Sequence, residues 1–170
     1  MKTVLGIDPG SRIAGYGAVV VDGGELTHLE HGVFRLEESA PLEERLVQLG
    51  QQLQALLERL RPDEVAVERV FLGRNADSAF KLGHARGVCL YEARKAGAIL
   101  FEYAAREIKK AISGSGAATK EQVRAILLAE MGLQSQAPLD ATDALALAVH
   151  HAQARILSAR LGQRLREGPL

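Results

Sequence analysis

Four acidic residues carry the chemistry this sequence suggests: Asp8, Glu68, Asp140 and Asp143. Asp8 closes the apolar run Val4-Leu5-Gly6-Ile7 and is followed by Pro9-Gly10, a turn. Glu68 closes a second apolar run, Val65-Ala66-Val67. Asp140 and Asp143 are three apart at a helix start, hence on one face, ahead of an apolar stretch over 144–149. A carboxylate at the end of a buried strand is costly to desolvate unless a cation or a donor meets it. Four brought together repel one another unless hard cations neutralise them, and oxygen ligands at that density suit magnesium or manganese. Two such ions can activate a water and stabilise the leaving oxygen of a phosphodiester. Local roles stay open for each acid. Asp8 can cap the Pro-Gly turn, and Asp140 and Asp143 suit the positive end of a helix.

The elements that must position these acids follow from hydrophobic periodicity. Residues 1–7 read as a strand buried on both faces. Residues 13–21 form a second strand, Asp22-Gly23-Gly24 a hairpin turn, and residues 25–36 a third strand with the polar alternation of an edge. Leu42, Leu46, Leu49, Leu53, Leu56, Leu57 and Leu60 keep helical spacing, with Ser39 and Pro41 as the start signal and Pro62 as the stop. Residues 64–68 form a fourth strand with Glu64, Ala66 and Glu68 on one face. After a loop, Asn75 caps a helix over 76–96 that is rich in small residues. Gly83 and Gly87 share a face of it. Each glycine costs a helix about 1 kcal/mol, so either a second copy of the protein or the sheet must pack there.

A strand over 98–103 comes next, then helices over 105–112, from Thr119 to about 131, and from Asp140 to about 160. The tail is expected to fray from about residue 162. The order β-β-β-α-β-α-β-α-α-α predicts an α/β fold in one domain spanning 1–170: a five-stranded mixed sheet, three antiparallel strands then two parallel, flanked by helices. If the strands ending in Asp8 and Glu68 are parallel neighbours, their acids meet.

Composition excludes several classes. Hydrophobic residues make up 47% and charged residues 25% of 170, ordinary for a globular protein. No run of eighteen apolar residues predicts a membrane span, and the N-terminus lacks the pattern of a secretory signal, so a cytoplasmic location is expected. The lone Cys89 excludes an internal disulfide and a cysteine-based zinc site. His150 and His151 are adjacent on a helix, point apart, and are not taken as metal ligands. Net charge is zero but unevenly spread: residues 1–68 hold 6 basic and 12 acidic residues, and residues 69–124 hold 11 and 5. An acidic site beside a basic surface fits that distribution.

The motifs Gly6-Ile7-Asp8-Pro9-Gly10, Val67-Glu68 with Phe71, Asn75-Ala76-Asp77-Ser78-Ala79, Lys81-Leu82-Gly83-His84-Ala85-Arg86-Gly87 and Asp140-Ala141-Thr142-Asp143-Ala144-Leu145-Ala146 together resemble the RuvC family. These are bacterial Holliday-junction resolvases of the ribonuclease-H-like superfamily. The resemblance implies that Asp8, Glu68, Asp140 and Asp143 are catalytic and hold two divalent ions per subunit, Mg2+ with Mn2+ as a substitute. Some relatives carry histidine at the position that Asp140 matches. It also implies a homodimer with helix 76–96 at or near the interface, from which Ala79, Gly83, Gly87 and Leu90 are the interface candidates. The reaction implied is paired, symmetric nicking of two like-polarity strands of a four-way DNA junction, leaving 5′-phosphate and 3′-hydroxyl ends, in concert with RuvA and RuvB. Phe71 matches an aromatic residue near the junction centre, where a ring can stack on a base. Lys109 and Lys120 match positions implicated in DNA binding or catalysis. Arg74, Lys81, Arg86, Lys110 and Arg124 are candidate phosphate contacts, or simply solvated charges.

Two other classes compete. The Gly-Ile-Asp-Pro-Gly run followed by a hairpin also resembles the phosphate loop of sugar kinases and actin-like ATPases, but such enzymes need a second lobe and give Asp140 and Asp143 no work. A non-catalytic junction-binding scaffold would use the basic middle alone, yet acids facing DNA would weaken its binding.

Overall fold

Seven consecutive residues place the centre of the sheet. β1 (Lys2–Asp8) has Val4, Leu5 and Ile7 fully buried, because neighbouring strands flank it and helices cover both its faces. The computed structural model describes residues 1–69, 75–134 and 137–162. β2 (Ile13–Asp22) and β3 (Glu25–Arg35) complete an antiparallel meander. β4 (Glu64–Glu68) and β5 (Ile99–Tyr103) run parallel to β1, and the strand order is β3-β2-β1-β4-β5. β3 is an edge, as its polar alternation predicts.

α1 (Leu42–Leu60) and α2 (Ala76–Lys95) cover one face of the sheet. Leu49, Leu53, Leu56 and Leu57 of α1 pack there against Leu5, Ile7, Val65 and Val67. α1 starts one residue after Pro41, which occupies the N-cap without a side-chain cap bond. Ser39 does not cap it; its hydroxyl donates to the Glu37 carboxylate at 2.7 Å. α2 starts at its predicted cap, and α4 (Lys120–Glu130) starts one residue past Thr119, which the sequence predicts as the opening residue and which is its N-cap. Asn75 Oδ1 accepts from Ser78 N–H at 3.2 Å, and Thr119 forms a reciprocal capping box with Gln122.

The other face is covered by α3 (Ala105–Ser113), α4 and α5 (Leu139–Arg160). α5 is buried around most of its circumference from Ala141 to Ala152, which is why its apolar residues show no single stripe. Its small residues meet glycines of the sheet. A Cβ on Gly6 would fall 2.0 Å from the Ala144 carbonyl oxygen, one on Gly15 1.9 Å from that of Asp140, and one on Gly17 2.4 Å from the Leu145 Cα. Any side chain at these three positions would push α5 off β1 and β2.

A buried polar bridge ties α5 to the sheet. His151, fully buried, hydrogen-bonds through Nε2 to Glu64 at 2.8 Å and through Nδ1 to the Tyr103 hydroxyl at 2.6 Å. Arg155 also pairs with Glu64. A buried carboxylate with these partners avoids the cost of an unpaired charge. Among the described residues no helix is long and apolar enough to cross a membrane.

Candidate active site

Asp8 and Glu68 are brought together by strand register. β1 and β4 are parallel neighbours with Ile7 level with Val67, so the next residue on each strand is an acid. The two carboxyl groups face each other at the strand ends, so that the charge of Glu68 bears on Asp8. Burial, followed by the charges of Glu68, Asp143 and Asp140, pushes the Asp8 carboxyl up to about 7, with Lys120 opposing the rise. Burial likewise raises Glu68, and Lys120 and Lys109 pull against it.

α5 supplies the other two acids. Its N-cap is Pro138, which makes no side-chain cap bond, so Asp140 and Asp143 lie inside the first turns and neither is the N-cap. The Gly15 contact sets the Asp140 backbone directly on β2. Asp143, one turn on, is paired with the Lys120 ammonium from the start of α4. The cleft between these groups is lined by Glu68, Asp143, Lys109 and Lys120, with Ile108, Val123 and Leu147 as its apolar walls.

This arrangement fits hard divalent cations. All four convergent acids offer oxygen, and Asp8 and Glu68 are held protonation-prone for want of positive charge. The Lys120 ammonium offsets part of the mutual repulsion at Asp8. Among the described residues no set of three or more His, Cys, Asp or Glu side chains is already closed to metal-ligand geometry. The two histidines go elsewhere: His151 into the buried bridge, and His150 to within 3.5 Å of Glu107.

The crossover junction endodeoxyribonuclease RuvC family model matches residues 4–151, which contain all four acids. The chain belongs to the RuvC family. It is 48% identical over 149 residues to the RuvC protein of Bdellovibrio bacteriovorus, covering 88% of this chain and 89% of that protein. It is 43% identical over 171 residues to that of Marinobacter nauticus, covering 99% and 97%. Among solved structures, T. thermophilus RuvC in complex with a Holliday junction substrate superposes with a TM-score of 0.84 at 33% identity, covering 93% of this chain and 97% of that one. The Bdellovibrio and Marinobacter proteins are named as crossover junction endodeoxyribonucleases, and the five-stranded mixed sheet with helices on both faces is the RuvC, ribonuclease-H-like fold.

The remaining RuvC-type candidates divide by where their side chains go. Lys109 and Lys120 line the acidic cleft. Lys110 is exposed at the end of α3, and Lys81 pairs with Asp77 on its own helix at 2.6 Å. Arg124 lies on α4, half-buried, with an interaction partner of its own. Arg86, expected as a phosphate contact, turns inward: its guanidinium pairs with the buried Glu102. Phe71 and Arg74 lie outside the described residues.

On α2, Gly83 and Gly87 are exposed, and nothing lies within 4 Å of where a Cβ would be, so packing on the sheet does not explain them. With Ala79 they line an apolar groove of about 880 Å³ shared with Leu46 and Val88. Phe80 and Tyr91, 67% and 64% exposed, stand on the same groove. Leu90 differs: it is half-buried against the core. Sequence reasoning missed Phe80, Tyr91 and Glu102. Two aromatics eleven apart, on a helix whose glycines share their face, were the available signal for the first two. Glu102 sits in a strand with no mark of its own.

Proposed function

We propose that this chain resolves four-way DNA junctions as a homodimer, by paired symmetric nicking of two strands of like polarity. The observation that carries this is the meeting of Asp8 and Glu68 at the ends of two parallel strands, with Asp143 and Asp140 added from α5. Asp8, Glu68, Asp140 and Asp143 would hold a pair of divalent ions, Mg2+ with Mn2+ as a substitute, which would activate a water and stabilise the leaving oxygen. Water adds to phosphorus and the bond to the 3′ oxygen breaks, leaving a 5′-phosphate and a 3′-hydroxyl. Burial and the neighbouring acids raise the Asp8 carboxyl to about 7, so a cation there would favour its anionic form. Lys120, held by Asp143, stays within reach of that cluster, and Lys109 in the same cleft offers a second cation to the DNA backbone.

The apolar groove on α2 is the face proposed to dimerise. A two-fold dimer presents two identical sites to the two equivalent strands of a junction. Residues 1–170 act as one nuclease domain in this reading, in the cytoplasm, with the RuvA–RuvB branch-migration machinery as partner. Phe71 is proposed to reach the junction centre, and Arg74 to contact a phosphate.

The test is cleavage of an end-labelled synthetic four-way junction in Mg2+, comparing wild type with Asp8→Asn. Wild type should produce paired nicks whose products can be religated. The variant should bind the junction and leave it uncut. Binding by both proteins, with no cleavage in Mg2+ or Mn2+ across several junction sequences, would establish a junction-binding scaffold instead.

A further inference from the structure

We infer that the Arg86–Glu102 ion pair, with Arg69 beside it, is a positioning clamp that holds the catalytic Glu68 from behind the sheet; this rests on the resolvase reading above. Glu102 is level with Val67 in the β4–β5 register, so it points toward α2, away from the acidic cleft. Its side chain is only 7% exposed, and an unpaired carboxylate there would be costly. Arg86 reaches it from α2. The same guanidinium donates through Nε–H to the Glu68 backbone carbonyl at 3.4 Å. Arg69 brings a second guanidinium to 4.0 Å from the other Glu102 oxygen. Its backbone N–H donates to the Tyr103 carbonyl at 2.8 Å, extending the β4–β5 pairing one residue past Glu68.

The peptide unit that follows the Glu68 Cα is therefore held twice, at its carbonyl by Arg86 and at its N–H by the Tyr103 carbonyl, while the Glu68 carboxyl faces Asp8. The grip is needed because Glu68 is the last residue of a five-residue strand. α2, which lies over that strand end, buries only Ala85, Cys89 and Ala93. Such small side chains let the helix lie close over the strand end, within reach of the Arg86 guanidinium. A planar guanidinium fork can bind the carboxylate and the carbonyl at once, which a lysine ammonium on a flexible stem does poorly. Arg86 lies on the same helix as Gly83 and Gly87, so the helix that presents the groove also fixes Glu68. Arg86 and Glu102 act through the main chain of Glu68 and do not touch substrate.

The experiment uses the full chain with Arg86→Leu and Glu102→Leu combined, an apolar swap that removes the pair without stranding a buried charge, and Arg86→Lys alone. Four quantities are read: thermal midpoint, junction affinity, hydrogen exchange at the Arg69 amide, and the single-turnover cleavage rate at saturating junction. The swap should keep the first two near wild type, raise Arg69 exchange about tenfold or more, and slow saturated cleavage by about 10- to 100-fold, the scale of a small misplacement. Arg86→Lys should fall between, and it carries the test if the swap does not fold. Wild-type cleavage in the variants overturns the clamp, as does slowed cleavage with unchanged Arg69 exchange. If wild type itself fails to cut, the resolvase reading fails, and Arg69 exchange still decides whether the pair orders the strand end.

Discussion

Asp8→Asn is expected to stabilise the metal-free protein while it abolishes cleavage. The Asp8 carboxyl rises from its ordinary 3.8 to about 7, through burial first and then the charges of Glu68, Asp143 and Asp140. Between those values the folded chain holds a proton that the unfolded chain has released. Stability therefore falls as pH rises through this window, with no penalty well below pH 4 and the full penalty above pH 7. About three units at ~1.36 kcal/mol each set a ceiling of about 4 kcal/mol at pH 8, and of about 1 kcal/mol at pH 4.5. Asparagine removes the charge and keeps a donor for Glu68. A gain of about 2–4 kcal/mol at pH 8 would raise the melting temperature by several degrees in a chain of this size. The assay is thermal unfolding of both proteins in EDTA at pH 8 and pH 4.5, repeated with Mg2+. Ligand that binds only the folded state stabilises by mass action, so Mg2+ should lift wild type more than the variant. No gain at pH 8, or a gain equal at both pH values, would refute the account of a carboxylate held under electrostatic strain for a cation.

Gly15→Ala should slow cleavage sharply with junction binding retained, because the new methyl would lie 1.9 Å from the Asp140 carbonyl oxygen and must push the start of α5 away from Asp8; single-turnover rates beside gel-shift affinities check this. Phe80→Asp with Tyr91→Asp should convert a dimer to a monomer in light scattering, since both exposed rings stand on the α2 groove and a charge there is costly to bury.

Much of the frame was legible because periodicity writes it directly. The leucines of α1, the Asp22-Gly23-Gly24 hairpin and the Asn75 and Thr119 caps act over a few residues, and their elements begin and end within two residues of expectation. Where local signals competed, sequence was less informative. Ser39 looks like a cap for α1, yet its hydroxyl turns to Glu37. Arg86 has the composition of a surface cation, and only the β4–β5 register, which sets Glu102 opposite α2, turns it inward. Leu90 shares a helix with Gly83 and Gly87, but rotation about the axis buries it against the core.

The sequence by itself determined which residues can do chemistry: two acids closing apolar strands, two more opening a helix, and the lysines and glycines around them. Only the tertiary structure decided that they act together. Parallel pairing of β1 with β4 aligned Asp8 with Glu68, and bare glycines at 6, 15 and 17 let α5 settle close enough to deliver Asp140 and Asp143. Burial then raised the carboxyls of Asp8 and Glu68. Side-chain type is local, whereas desolvation and charge repulsion depend on distances across 60 to 135 residues of chain, and those exist only once the sheet and helices have packed.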